Sequence, residues 1–181
     1  MKLLIASDIH GDLESMELVL NAYKNEHCDR ILLLGDLLYH GPRNDLPKTY
    51  NPKAVISLLN ENKELIMTVK GNCDGEVDQM VLDFPILADY ALLSLDGLTV
   101  FMTHGHHHNT TTPPPLKKSD ILLHGHTHIL ACEKFGNDNL YLNPGSAALP
   151  KAGNPKTYIV YENRKFTCKD FSGNVIFEIQ L

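Results

Sequence analysis

The first half of the chain alternates short apolar runs with longer segments whose apolar residues recur at helical spacing. Buried strands are predicted at the apolar runs, over residues 3–6, 31–34 and 65–69. One helix is predicted after Asp12, a candidate N-cap, and another from Asn51-Pro52, where Asn suits the N-cap and Pro suits the first turn. The resulting β-α-β-α-β order is typical of parallel strands in a layered sheet.

The second half of the chain is predicted to be rich in strands. Residues 90–95 and 98–103 flank Asp96-Gly97, which indicates a hairpin because Gly accepts the positive φ of a tight turn. A short helix is predicted over residues 76–82, and the Thr- and Pro-rich residues 110–115 predict a surface loop. Further strands are predicted at residues 121–123, 139–142, 157–161, 165–169 and 175–179. We therefore expect one α/β domain over residues 1–181, built on two sheets.

Composition and charge exclude several classes of partner. Acidic residues outnumber basic ones by 22 to 16, the formal net charge is −6, and the longest basic run is Lys117-Lys118. The chain therefore lacks the positive stripe that a nucleic-acid duplex or an anionic membrane would require. No apolar stretch approaches the roughly 20 residues of a membrane span, and the apolar start meets Ser7-Asp8 too soon for a signal peptide. Four cysteines without a CxxC pair indicate reduced thiols, so we expect a cytoplasmic location.

Polar residues follow the predicted strands in five clusters. The clusters are Asp8-Ile9-His10, Gly35-Asp36, Gly71-Asn72-Cys73-Asp74, His104-Gly105-His106 and His124-Gly125-His126-Thr127-His128. Because ligands of open α/β sheets bind beyond the carboxyl ends of strands, we expect the five clusters to converge. Taken singly, each motif is most simply a polar turn. Five of them at equivalent positions, in a chain with ten histidines, favour a metal site.

The donors in these clusters predict a centre with two ions. The candidate metal ligands are Asp8, His10, Asp36, Asn72, His104, His126 and His128. Carboxylate oxygens and imidazole nitrogens suit Mn²⁺, Fe or Zn²⁺, and the absence of a thiolate set argues against a structural zinc. Seven ligands exceed the needs of one tetrahedral ion and suit two ions that share a carboxylate. The positive charge of such a centre would attract phosphate esters despite the acidic chain.

The calcineurin-like metallophosphoesterases have an ordered motif series that this chain resembles. The matching residues are Asp8-x-His10, Gly35-Asp36, Gly71-Asn72-x-Asp74, His104-Gly105 and Gly125-His126-x-His128. The resemblance implies a four-layer αββα sandwich, in which helices flank two mixed sheets and a dinuclear centre lies at the edge. It also implies two ligand sets that share Asp36, namely Asp8, His10, Asp36 and His128 for one ion and Asp36, Asn72, His104 and His126 for the other.

The activity that the resemblance implies is metal-dependent hydrolysis of a phosphodiester, by attack of a hydroxide that bridges the two ions. We expect Mn²⁺ first, with Fe, Zn²⁺, Ni²⁺ or Mg²⁺ as other metals. Asp36 and Asn72 are expected to be catalytic, together with Cys73, which stands where many relatives have a His that protonates the leaving group. Because a thiol is a poorer proton donor than imidazolium, we expect a preference for good leaving groups. Arg43 is expected to bind a phosphate oxygen, and His106 to reach the substrate from beside His104.

Two alternatives remain open from the sequence. A phosphomonoesterase, acting on small molecules or phosphoproteins, would use the same metals, although Cys73 tilts the prediction towards diesters. A non-enzymatic protein-binding scaffold of the same fold is disfavoured because every ligand position carries a coordinating side chain. The expected partner is a small phosphodiester, and an exposed sheet edge would be compatible with a homo-oligomer.

Overall fold

The computed structural model describes all 181 residues, which form eleven strands and three α-helices. The elements of the first half are β1 (Leu3–Ala6), α1 (Leu13–Asn25), β2 (Arg30–Leu33), α2 (Pro52–Glu61), β3 (Ile66–Thr68) and α3 (Glu76–Gln79). The second half contains β4 (Tyr90–Leu95), β5 (Leu98–Thr103), β6 (Ile121–Leu123), β7 (Leu130–Phe135), β8 (Asn139–Pro144), β9 (Thr157–Glu162), β10 (Lys165–Asp170) and β11 (Val175–Gln180).

The strands form two mixed sheets. The first has six strands in the order β11-β10-β9-β1-β2-β3, in which β1, β2 and β3 run parallel and the other pairs are antiparallel. The second has five strands in the order β4-β5-β6-β8-β7, in which β5, β6 and β8 run parallel. The α/β class and the two mixed sheets, flanked by few helices, are therefore confirmed.

Alternate residues of each buried strand face different layers. In β1, Leu4 and Ala6 pack into the cluster that includes residues of α1 and α2, whereas Leu3 and Ile5 pack between the two sheets. The helices thus cover the outer face of the first sheet. On the outer face of the second sheet a small cluster of Phe101, Leu122 and Tyr141 is covered by Leu116 from the loop between β5 and β6.

One predicted element differs from the structure, and one observed strand was not predicted. The predicted helix over residues 76–82 ends at Gln79, because the Gln79 side chain donates to the carbonyls of Leu82 and Phe84 and accepts from Ile86 N, which holds the segment in a turn. The strand Leu130–Phe135 was not predicted. Its residues are half-buried or exposed and show no clean alternation, since it is an edge strand paired only with β8.

The predicted N-caps behave differently from one another. Asn51 accepts a hydrogen bond from Ala54 N at the start of α2, as expected. Asp12 occupies the N-cap position of α1, but its carboxylate accepts instead from Thr49 N and lies 3.3 Å from Lys156 Nζ. Asp12 thus ties the start of α1 to the loop before α2. None of the helices is long and apolar enough to cross a bilayer, and the division of the chain into one domain stays a prediction.

Truncating a leucine in the core between the sheets should lower the free energy of unfolding far more than truncating an exposed leucine. Leu140 of β8 is 2% exposed and belongs to the cluster between the sheets, whereas Leu92 of β4 is 63% exposed. We expect Leu140→Ala to lower the free energy of unfolding by about 2–5 kcal/mol, because it leaves a cavity. Leu92→Ala should change it by less than about 0.5 kcal/mol. Denaturant unfolding of both variants in a chelator checks this, and equal losses would contradict the assigned core.

Candidate metal centre

The pairing of β1 with β2 continues into the loops that follow both strands. Asp8 N donates to Gly35 O, His10 N to Asp36 O and Gly11 N to Leu37 O, at 2.9 to 3.2 Å. The loops are therefore held side by side, and the carboxylates that follow the two strands lie at one edge of the sheet. The second sheet reaches the same edge, because Gly125 N donates to His104 O and His126 N donates to Asp8 Oδ2.

Five of the predicted ligands have a left-handed backbone. The φ angles are between 50° and 66° for Asp8, His10, Asp36, His126 and His128. This conformation is uncommon for residues other than Gly, and where it occurs it tends to cluster at functional sites. The hydrogen bonds between the loops hold the ligands in it.

The first group of donors surrounds the buried carboxylate of Asp8. Asp8 Oδ1 lies 3.3 Å from His128 Nε2 and 3.7 Å from His10 Nε2, and those two nitrogens are 3.1 Å apart. The other carboxylate oxygen, Oδ2, accepts hydrogen bonds from Ser7 Oγ and His126 N. Oδ1 has no hydrogen-bond partner although it is fully buried, so one free oxygen faces two imidazoles.

The second group of donors surrounds the other buried carboxylate. Asp36 Oδ2 lies 3.5 Å from His104 Nε2, and His104 Nε2 lies 3.1 Å from Asn72 Oδ1 and 3.2 Å from His126 Nδ1. The same Asp36 oxygen is 3.7 Å from His10 Nε2 of the first group. Asp36 therefore stands between the two groups, while its Oδ1 accepts from Cys73 N at 2.8 Å.

Backbone carbonyls orient three of the imidazoles. The Nδ1 atoms of His10, His104 and His128 lie 2.6 to 2.7 Å from the carbonyl oxygens of Tyr39, Leu34 and Leu149. Since a carbonyl can only accept, Nδ1 carries the proton in each ring, and in the neutral ring Nε2 presents its lone pair to the cluster. This arrangement is typical of imidazoles that bind metals.

The electrostatics of the cluster favour a cation. Burial raises the pKa of Asp8, but the nearness of His128, His104 and His10 outweighs burial, so the pKa lies well below its usual range. Burial lowers the pKa of His104, but Asp36 and Asp8 together raise it to about 9. The buried carboxylates of Asp8 and Asp36 face imidazole nitrogens, and Asp8 Oδ1 has no hydrogen-bond partner, so the cluster fits the divalent cations that the sequence predicts.

Asp74 holds the loops that carry Asp36 and Asn72. Its buried carboxylate accepts hydrogen bonds from Asp36 N, Leu37 N and Gly71 N, at 2.7 to 2.9 Å. Burial raises its pKa to about 6, against the effect of these bonds. Ser146 has a similar role on the other side, since its hydroxyl donates to Asp8 O. Neither residue needs to contact an ion to position the donors.

A cavity of about 320 Å³ opens onto the donor groups. Its walls include Asp36, Asn72 and Cys73, together with Arg43 and Lys151, which supply positive charge. Burial raises the pKa of the Cys73 thiol, and the nearby Asp36 carboxylate raises it further, so Cys73 keeps its proton at neutral pH. No sequence pattern marked Lys151 as a candidate, because it is an isolated lysine in a loop.

His106 lies apart from this cavity. Its ring centroid is 5.4 Å from that of His104 and 6.2 Å from that of His126, but His106 does not line the cavity. Burial and the charges of neighbouring histidines lower its pKa to about 4. The structure thus brings all seven predicted ligands together, and their individual roles, like that of His106, stay predictions.

Comparison with protein families defines the class of this site. Residues 1–165 match the calcineurin-like phosphoesterase superfamily domain, and the donor groups described above lie within that match. A protein with this domain and these donors is a metal-dependent phosphoesterase. The chain belongs to the calcineurin-like phosphoesterase superfamily, which confirms the resemblance in its motifs.

Similar proteins agree with this membership. The chain is 44% identical over 163 residues to phosphodiesterase YfcE of Escherichia coli K12, a match that covers 90% of this chain and 88% of that protein. The solved structure of E. coli Yfce, described as a phosphoesterase, is similar with a TM-score of 0.95 at 40% identity over 99% of this chain and 98% of that one. Vacuolar protein sorting 29 of Cryptosporidium parvum shares the fold, with a TM-score of 0.63 at 18% identity over 99% and 98% of the two chains.

The loops that carry Asp36 and Gly71 lie so close together that a methyl group added at Gly71 should weaken metal binding, whereas one added at Gly75 should not. A Cβ at Gly71 would overlap Asp36 Oδ1 and Asp36 N, whereas a Cβ at Gly75 would have only Asp78 Oδ2 nearby, at 3.8 Å. We expect Gly71→Ala to displace Asp36 and to weaken Mn²⁺ binding by about 10- to 100-fold, the usual cost of disturbing the groups that support metal ligands. Gly75→Ala should leave binding unchanged. Calorimetric titration of both variants checks this, and equal affinities would contradict the described packing.

Proposed function

We propose that the protein is a phosphodiesterase that holds two divalent ions, Mn²⁺ first among them, and hydrolyses a small phosphodiester in the cytoplasm. The observation that carries the proposal is the position of Asp36 Oδ2, within 3.7 Å of His10 Nε2 and 3.5 Å of His104 Nε2. A carboxylate between two donor groups suits a pair of ions. The four free cysteines suit a reducing compartment.

The proposed ligand sets follow the two donor groups. Asp8, His10 and His128 would hold one ion with Asp36, and Asn72, His104 and His126 would hold the other with Asp36. Such ions, when bound, polarise phosphoryl oxygens and lower the pKa of a coordinated water. Oxygen and nitrogen ligands can bind Mn²⁺, Fe, Zn²⁺, Ni²⁺ or Mg²⁺. Which metal occupies the site in the cell therefore depends in part on which metal is available.

The chain's own residues bind and orient the substrate. Arg43 is proposed to bind a non-bridging phosphate oxygen, with Lys151 adding positive charge on the same side of the cavity. Cys73, protonated at neutral pH, is proposed to donate to the leaving oxygen, and its high pKa makes it a weak acid for this purpose. His106 is proposed to approach the substrate from the side of His104 and His126.

Phosphomonoesters are the alternative substrates. They would meet the same donors, and the preference for diesters rests on the weak acid at Cys73 and on the relative that is named a phosphodiesterase. The scaffold alternative has support from the fold alone. It is disfavoured because two adjacent buried carboxylates, one with an unpartnered oxygen, would be costly to keep without a cation.

Turnover with single metals tests the proposal. Chelator-stripped protein should regain hydrolysis of bis(4-nitrophenyl) phosphate when Mn²⁺ is added, and Mg²⁺, Zn²⁺ and Ni²⁺ are compared one at a time. The matching monoester, 4-nitrophenyl phosphate, should be hydrolysed more slowly. A faster monoester would make the protein a phosphatase, and no turnover with any metal would favour the scaffold.

Asp36→Ala provides the residue-level test of the same proposal. We expect turnover to fall by more than about a hundredfold while the fold remains, because a ligand contributes more than the groups that support it. Asp83→Ala serves as the control, since Asp83 is an exposed carboxylate paired with Lys63 and does not belong to either donor group. Full activity of Asp36→Ala would contradict the assignment.

A further inference from the structure

A groove of about 670 Å³ opens beside the cavity of the metal centre. It shares Asn72 and Cys73 with that cavity, so the two spaces meet at the residues proposed to face the leaving oxygen. We call it the ester groove. Its walls come from the loop after β2, the start of α2 and the segment around α3, and include Tyr39, Tyr50, Ile56, Val77 and Val81.

The apolar side chains of the ester groove are unusually exposed. Tyr39 is 43% exposed, Val81 is 42% and Val77 is 75%. Single exposed apolar residues are common on protein surfaces, but here they line one concave surface with Tyr50 and Ile56. A continuous apolar surface of this kind is typical of a binding site.

The tyrosine wall of the ester groove is fixed relative to the metal centre. The carbonyl of Tyr39 accepts from Nδ1 of His10, at 2.7 Å, so a displacement of this residue would disturb a predicted ligand. The Tyr39 ring packs edge-on against His40, and His40 packs edge-on against Tyr50, with centroids 4.8 and 5.3 Å apart. The wall is therefore formed before a ligand arrives.

Charge separates the ester groove from the cavity beside it. The ionisable side chains that line the groove besides its tyrosines and Cys73 are Asp74, Glu76 and Asp78, and no Lys or Arg lines it. The adjoining cavity contains Arg43 and Lys151. An anionic substituent would therefore be repelled from the groove and attracted to the cavity.

We propose that the ester groove binds one ester substituent of the substrate, and that this substituent is an uncharged aromatic group. The inference rests on the proposed phosphodiesterase function and narrows its substrate class. A flat ring can lie against the exposed Tyr39 face and the methyl groups of Val77 and Val81, while the phosphate remains at the donors next to Asn72 and Cys73. Tyr39 and Val77 then determine specificity without touching the reacting atoms.

Two substrates with the same leaving group test this assignment. Hydrolysis of bis(4-nitrophenyl) phosphate and of methyl 4-nitrophenyl phosphate with Mn²⁺ is measured for the wild-type protein, Val77→Asp and Tyr39→Ala. We expect both variants to raise KM for the bis-aryl diester by about tenfold with little change in kcat, since the lost contacts bind the substituent in ground and transition states alike. If KM for the methyl diester rises by the same factor, the ring in the groove is the leaving group, which both substrates share. If KM for the methyl diester does not change, the ring in the groove is the one that stays on the phosphate.

Met80→Asp is the matched control. Met80 lies three residues after Val77 and is 83% exposed, but it does not line the ester groove. The Met80→Asp substitution should leave KM and kcat unchanged for both diesters. Thermal unfolding and bound Mn²⁺ are measured for every variant, so that a folding or metal defect is not taken for a loss of substrate binding.

Other results would overturn the inference. Unchanged KM for the bis-aryl diester in both variants, with Mn²⁺-dependent turnover intact, would leave the phosphodiesterase and remove the aromatic substituent from the groove. A lower molecular mass of Val77→Asp in light scattering, without a change in KM, would assign the groove to a second copy of the chain. Failure of the wild-type protein to hydrolyse any diester would overturn the proposed function itself, and the inference with it.

Discussion

Two buried carboxylates lie within 3.7 Å of the nitrogens of three imidazoles, and much of the local structure serves to keep them ionised and close together. Each carboxylate is held through one oxygen, by Ser7 Oγ and His126 N for Asp8 and by Cys73 N for Asp36. The other oxygen of each faces histidine nitrogens. Burying a negative charge is costly unless an opposite charge lies nearby. A cation bound at these oxygens would provide that opposite charge.

The backbone around the carboxylates is built to permit this closeness. Gly125 passes so near to Ser7 Oγ that a side chain there would overlap it, and a Cβ at Gly35 would lie 2.5 Å from Gly71 N. These contacts let loops from both sheets meet at one edge. The left-handed backbone of the ligands and the three backbone N–H groups that donate to Asp74 have the same effect. They hold the loops rigid, so the ligand side chains are fixed in position by the backbone.

Much of this could be predicted because the relevant signals are local in sequence. Apolar runs marked most strands, and polar clusters directly after β1, β2, β3, β5 and β6 marked the donors, since parallel strands share an edge for their carboxyl ends. Lys151 and the ester groove were not predictable in this way. The ester groove depends on how the loop after β2, the start of α2 and the segment around α3 pack in space. Lys151 reaches the cavity from the loop between β8 and β9, which only the folded chain brings there. The strand Leu130–Phe135 was missed because it lacks the alternation that marks a strand.

The central claim is that Asp36 is shared between two ions, and metal stoichiometry tests it most directly. Chelator-stripped wild-type protein, titrated with Mn²⁺ and measured by elemental analysis after desalting, should retain two ions per chain. His128→Ala, which removes a donor from the first group alone, should retain one, whereas Asp36→Ala should lose both. Two ions in Asp36→Ala, or a single ion in the wild-type protein, would contradict the shared carboxylate.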